Sequence, residues 1–216
     1  MNIRILIIRL KKILKTIFNI KLLRIFFKYG VLASFEHDRV LKLKFSFIVD
    51  IGAHTGQFAL AARYYSNAKI ISFEPLQDAC NKFDEIFIND KDIKLIRTAI
   101  GQINTTKLIN ISAKSDSSSI LEIGRNQEKY FPGTYKINTS EISIGPLDKF
   151  IELKDFINPA LLKIDVQGYE LETLRGCKKL ISNFQYIYCE CSFVELYEKQ
   201  ALASDIIIFL KEFNFD

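Results

Sequence analysis

The stretch Phe47-Ile48-Val49-Asp50-Ile51-Gly52-Ala53-His54-Thr55-Gly56 constrains this chain more than any other. The apolar run from Phe45 to Ile51 has the length of a buried strand, and Gln57 to Tyr65 repeats its apolar residues at helical spacing. Strand, glycine turn and helix in that order predict a parallel sheet. Gly52 and Gly56 let the backbone turn sharply and come close to a ligand, and the helix behind them aims its N–H groups and positive dipole end the same way. The spacing Asp-x-Gly-x-x-x-Gly departs from the Gly-x-Gly-x-x-Gly fingerprint of dinucleotide-binding folds, which argues against a nicotinamide cofactor.

From there the pattern alternates strand and helix. Lys69 to Phe73 is a second strand ending at Glu74-Pro75, Leu76 to Ile88 a helix, and Ile93 to Ile100 a third strand closed by Gly101. Right-handed crossovers order these strands 3-2-1. Gln102 to Pro146 reads as short strands and loops, with a serine-rich turn at Ser115, Ser117, Ser118 and Ser119, and a segment of this length is expected to shape access to a site. A short helix opens at Leu147. Ala160 to Asp165 is a fourth strand that turns at Gly168 into a helix from Tyr169 to Leu180, and Gln185 to Cys191 is a fifth, followed by a helix from Ala203 to Phe213. The acids Asp50, Glu74, Asp165 and Glu190 therefore recur at strand ends. In an open parallel sheet, that is where ligands bind.

Length and charge bound the rest. A chain of 216 residues that is 49% hydrophobic builds one domain with a substantial core, here residues 36–216, plus an appendage at 1–35. Cys80, Cys177, Cys189 and Cys191 contain no Cys-x-x-Cys pair, which suits reduced thiols in a cytoplasm; a Cys189/Cys191 metal site is the sharper alternative, and no metal ligands are assigned. Arg4, Arg9, Lys11, Lys12, Lys15, Lys21, Arg24 and Lys28 all precede the first acid, Glu36, and removing these eight charges from the formal +5 leaves −3. An acidic body argues against a nucleic-acid partner. The appendage mixes apolar and basic residues at helical spacing from Ile3 to Phe27, with a bend expected near Asn19. No apolar run approaches the roughly 20 residues of a membrane span. Two readings stand: a helix lying peripherally on an anionic membrane surface, each basic residue adding about 1 kcal/mol, or a helix packed on the domain.

Taken together, Val49-Asp50-Ile51-Gly52-Ala53-His54-Thr55-Gly56, Phe73-Glu74-Pro75, Ala99-Ile100-Gly101, Leu147-Asp148 and Lys163-Ile164-Asp165-Val166-Gln167-Gly168-Tyr169-Glu170, with Leu174-Arg175-Gly176 behind it, resemble the FkbM-type methyltransferases. The resemblance runs from about Phe45 to Glu190. It implies an α/β Rossmann-like fold with a mostly parallel sheet of order 3-2-1-4-5, S-adenosylmethionine (SAM) as cofactor, and O-methylation of a sugar, glycan or natural-product hydroxyl. It also implies that Asp50, Gly52, Ala53, His54, Gly56, Glu74, Pro75 and Ala99 surround the cofactor, with the glycine turn at its methionine end and Glu74 at its ribose. The family often has Glu where this chain has Gln167, which argues against position 167 as a base.

Methyl transfer to an alcohol needs a general base, because a hydroxyl is a poor nucleophile at neutral pH. Asp165 is the first candidate, followed by Glu170, Glu190 and His54; Glu170 reads equally as a first-turn acid favoured by the helix dipole, and His54 as a turn residue bonded to backbone. Lys163 is open to two readings, a substrate contact or a neutraliser of the acids. The Asn/Asp-Pro-Pro-Tyr segment of many amino-group methyltransferases is absent. The family sheet ends in two further antiparallel strands that are not legible here, so the fifth strand is expected at an edge where a second copy pairs as a homodimer. A catalytically inactive SAM-binding or scaffolding relative is the alternative.

Overall fold

The structure, a computed structural model, describes residues 12–216. Its first strand, β1 (Phe47–Ile51), is buried at every residue, as an apolar run flanked on both sides by parallel neighbours must be. β2 (Lys69–Phe73) pairs parallel with β1, and β3 (Ile93–Ile96) parallel with β2. Three more strands, β4 (Ala99–Ile100), β5 (Thr105–Ser112) and β6 (Lys136–Gly145), form a second sheet of order β4-β6-β5. β7 (Ala160–Ile164) returns to the other side of β1, and β8 (Tyr186–Cys189) pairs parallel with β7 as the edge. The main sheet is thus β3-β2-β1-β7-β8: the 3-2-1 half follows from right-handed crossovers, and the whole is the 3-2-1-4-5 order that the family resemblance implies.

Alternate residues of β1 face opposite layers. Ile48 joins a core with Phe58, Leu60 and Phe83 from the helices Gln57–Tyr65 and Gln77–Phe87. Phe47, Val49 and Ile51 join the opposite core, with Leu174 of the helix Glu170–Gly176 and Ile206 of the helix Ala203–Lys211. Both faces being covered explains why β1 and β7 are apolar runs, interrupted only by Asp50 and Lys163. The register sets those two residues side by side on one face.

The third predicted strand, Ile93 to Ile100, is two strands in two sheets. The chain bends at Arg97-Thr98, the buried Thr98 Oγ1 donates to Ser143 O at 2.9 Å, and Ala99–Ile100 pairs with β6 instead of β2. Strand-forming residues on both sides of Arg97-Thr98 hide the change of partner, because both sheets demand the same residue types. The 102–146 insertion is likewise more regular than expected, with two strands of eight and ten residues paired antiparallel.

Ahead of the sheet, the helix Ile20–Tyr29 starts at Asn19, whose side chain accepts from Leu22 N, and stops at Gly30 at φ +70°. The predicted break at Asn19 is this cap. Leu22 and Ile25 pack into the core shared with Ala61 and Phe87. The predicted helical stretch from Ile3, with Arg4, Arg9 and Lys11, lies in part outside the described residues. Among the described residues no helix is long and apolar enough to cross a membrane.

Candidate active site

The sheet reverses order between β1 and β7, and the loops leaving these two strands touch. Gly52, at φ +78°, is the contact: a Cβ built on it would lie 1.8 Å from Asp165 O. The Gly52 and Ala53 N–H groups both donate to Phe73 O at 3.0 Å, so the turn is tied to the end of β2 and these two donors are already used. Gly56 serves packing instead. Its Cβ would meet Phe87 at 2.4 Å and Phe83 at 2.9 Å, so glycine there lets the helix Gln57–Tyr65 seat against its neighbour.

A cavity of about 320 Å³ opens over these strand ends. Gly52, Ala53, His54, Glu74, Pro75, Ala99, Asp165, Glu170 and Glu190 all line it. Asp50 and Gly56 do not. Asp50 is 0% exposed beneath the floor, 3.0 Å from Lys163 Nζ, which also donates to Gly52 O at 2.9 Å. Of the two readings of Lys163, the geometry gives it the neutralising role: it lies within 3.9 Å of Asp165 as well, and this double attraction outweighs burial to hold its ammonium above the ordinary range.

Glu74 sits where β2 ends and is buried. Its Oε2 accepts from His54 N at 2.9 Å and its Oε1 from Leu76 N at 2.8 Å, so each oxygen keeps a lone pair for a second donor. Burial raises the Glu74 pKa, and the two backbone donors work against that rise. His54 holds a left-handed backbone at φ +46°; its Nε2 lies 3.0 Å from Ser115 Oγ, while Nδ1 is buried without a partner. Burial lowers its pKa, which makes a neutral imidazole. Glu170 behaves as the first-turn acid, with Oε1 accepting from Gly168 N at 3.0 Å and Val166 N at 3.3 Å.

Asp165 and Glu190 form a carboxyl pair bridged by an amide. Gln167 Nε2 donates to Asp165 Oδ1 at 2.8 Å and to Glu190 Oε2 at 3.0 Å, while its Oε1 lies 2.8 Å from the Tyr197 hydroxyl. A carboxylate at 167 would remove both N–H donors and bring a third negative charge, so the amide is what lets the two acids approach. Burial opposes the charge on Asp165, but Lys163 together with the Glu190 and Gln167 hydrogen bonds holds it below the usual carboxylate range. Glu190, by desolvation first and the Asp165 charge second, is pushed up to about 8. At neutral pH the pair holds one proton, mostly on Glu190.

That proton has a thermodynamic consequence. Between pH 4.5 and about 8 the folded protein binds more protons at Glu190 than the unfolded chain, so stability falls as pH rises through this window. The thermal midpoint of wild type should fall relative to that of Glu190→Gln as pH rises from 4.5 to about 8. Parallel pH profiles would show that Glu190 titrates normally.

Several lining residues carry no sequence signal. Ser34, Glu36 and His37 come from the segment before β1, Gln127 from the insertion, and Tyr197 and Gln200 from the loop after β8. Ser115 to Ser119 belong to the insertion and cover the cavity, as its length led us to expect. His37 Nδ1 lies 2.9 Å from the Tyr188 hydroxyl, a contact across 151 residues that no local pattern encodes.

The Methyltransferase FkbM domain model matches residues 50–216. The chain belongs to the FkbM methyltransferase family. It is 24% identical over 147 residues to "Methyltransferase 1" of Beauveria bassiana (strain ARSEF 2860), covering 61% of this chain and 58% of that protein. Among solved structures, the FkbM methyltransferase of Methylobacillus flagellatus KT aligns at a TM-score of 0.48 and 13% identity, over 78% of this chain and 36% of that one. An rRNA methylase from Streptococcus thermophilus aligns at 0.40 and 14%, over 85% and 79%. The chain thus spans less than two thirds of the length of the Beauveria and Methylobacillus proteins.

Proposed function

We propose that this FkbM-family chain is a SAM-dependent O-methyltransferase whose acceptor is a hydroxyl of a sugar, glycan or related natural product. The observation that carries the reading is the convergence of Glu74, His54 and the Asp165–Glu190 pair on one cavity at the β1/β7 order reversal. The residues present fit the cofactor. Glu74 has lone pairs left for a ribose diol, His54 Nδ1 is a buried polar atom without a partner, and about 320 Å³ lies within the roughly 300–1,000 Å³ of ligand pockets.

Bound SAM supplies a methyl group made electrophilic by its sulfonium. The chain's own residues do the rest: the cavity aligns the acceptor oxygen, an alignment worth several kcal/mol, and the carboxyl pair takes its proton. Asp165 is the ionised member at neutral pH and the first acceptor; loss of the shared proton near pH 8 leaves the pair a stronger base. The polar lining from Ser115, Asp116, Ser117, Gln167 and Gln200 suits a polyhydroxyl acceptor.

Calorimetric titration with SAM tests the cofactor, and transfer to a panel of sugars tests the base. Glu74→Gln, which keeps shape and one acceptor, should weaken SAM binding by about tenfold or more, the worth of a charge-assisted hydrogen bond. Asp165→Asn should bind SAM nearly as well while transfer falls by roughly 10²–10⁴. No heat from SAM with the wild-type protein overturns the cofactor assignment; undiminished transfer by Asp165→Asn overturns the base.

A further inference from the structure

We propose that the outer face of the Ile20–Tyr29 helix, together with Phe18 before it, docks this protein onto an anionic lipid surface. The inference stands on the helix and its charges and does not depend on the reaction proposed above. Leu22 and Ile25 face inward and are consumed by the core. On the other side Phe18 is 85% exposed, Ile20 69% and Phe27 78%, large apolar side chains that belong to none of the hydrophobic cores, with the Phe27 ring 5.6 Å from that of Phe26 in the same helix. Lys21, Arg24 and Lys28 are exposed on that same side, between and beside Ile20 and Phe27 at one- to four-residue steps.

The charge environment separates these cations from their neighbours in sequence. Lys12 pairs with Glu36 at 3.0 Å and Lys15 with Asp38, so the segment before Asn19 is strapped to the domain by ion pairs. Among the described residues Lys21, Arg24 and Lys28 form no such pair, and the first turn of their helix carries no acid. The sequence before residue 12 adds Arg4, Arg9 and Lys11 and no acid.

A protein partner with an apolar groove would meet Phe18, Ile20 and Phe27 but would have to neutralise three unpaired cations with acids of its own. A second copy of this face would bring like charges together. An interface of anionic headgroups over acyl chains satisfies both halves of the surface at once, cations at the headgroups and aromatic rings below them. The chain then runs from Gly30 straight into Ser34, Glu36 and His37 on the wall of the cavity, so docking would hold that wall near the surface.

Co-sedimentation of the full chain with phosphatidylcholine vesicles, with and without phosphatidylglycerol, tests the proposal. Binding should require phosphatidylglycerol and weaken with added salt. The triple variant Lys21→Gln/Arg24→Gln/Lys28→Gln should lose roughly a hundredfold in partition coefficient, and Phe18→Ser/Phe27→Ser a comparable factor, with thermal midpoints unchanged because all five side chains are exposed. Wild-type protein that stays in the supernatant at low salt overturns the proposal. So does binding that ignores lipid charge and the triple variant, and so does a dimer dispersed by Phe18→Ser/Phe27→Ser, which would name a second copy as the occupant.

Discussion

Gly52→Ala should destabilise the protein by about 4 kcal/mol, and Gly30→Ala by only about 1–2 kcal/mol. The two glycines have nearly the same backbone, φ +78° and +70°, so alanine pays the same left-handed penalty at both. They differ in what the new methyl meets. At Gly30 nothing lies within 4 Å; at Gly52 the methyl would sit 1.8 Å from Asp165 O, a backbone atom that cannot swing away. Relief requires the β1 and β7 loops to part, which also moves Asp165 relative to Gln167 and Glu190. Urea denaturation of the two variants measures the difference directly, and equal losses would mean that the loops are not in contact.

Lys163→Met alone should cost about 3–5 kcal/mol, because it strands a carboxylate at Asp50 that is fully buried. Asp50→Leu alone should cost less, because Lys163 Nζ keeps Gly52 O at 2.9 Å and Asp165 at 3.9 Å. The pair Asp50→Leu/Lys163→Met should recover most of the loss, since apolar residues of similar volume often replace a buried ion pair without penalty. The same double variant removes Lys163 from Asp165, so its folded state should return with Asp165 shifted upward toward the ordinary carboxylate range. Denaturation midpoints at constant m-value decide the matter. Additive losses in the double variant would show that the two charges do not interact.

These two cases also mark where sequence reasoning reached and where it stopped. Asp50 and Glu74 stand in the same kind of place, an acid at the end of a buried parallel strand, and both read as ligand contacts. Glu74 does line the cavity, because it follows the last β2 residue and its side chain reaches the crevice. Asp50 lies one residue inside its strand opposite Ser72, on the same face as Glu74 but two residues deeper along the sheet, so it is buried beside Lys163 below the strand ends. Gly56 belongs to the turn motif for a similar reason that is not about ligands: two phenylalanines from the next helix leave no room for a Cβ.

The sequence by itself determined the strand order, the turn that opens the cavity and the acids that meet there. Those features are local or follow from chain handedness: apolar runs bury as strands, glycines take left-handed turns, and right-handed crossovers place β3, β2 and β1 in order. Only the tertiary structure decided that Ala99–Ile100 leaves the main sheet, that Gln167 holds Asp165 and Glu190 together, and that His37 and Tyr197 help close the cavity. Each of these depends on side chains far apart in the chain competing for the same partner. A pattern of residue types records that a strand or a carboxylate will be satisfied, and only packing determines by which neighbour.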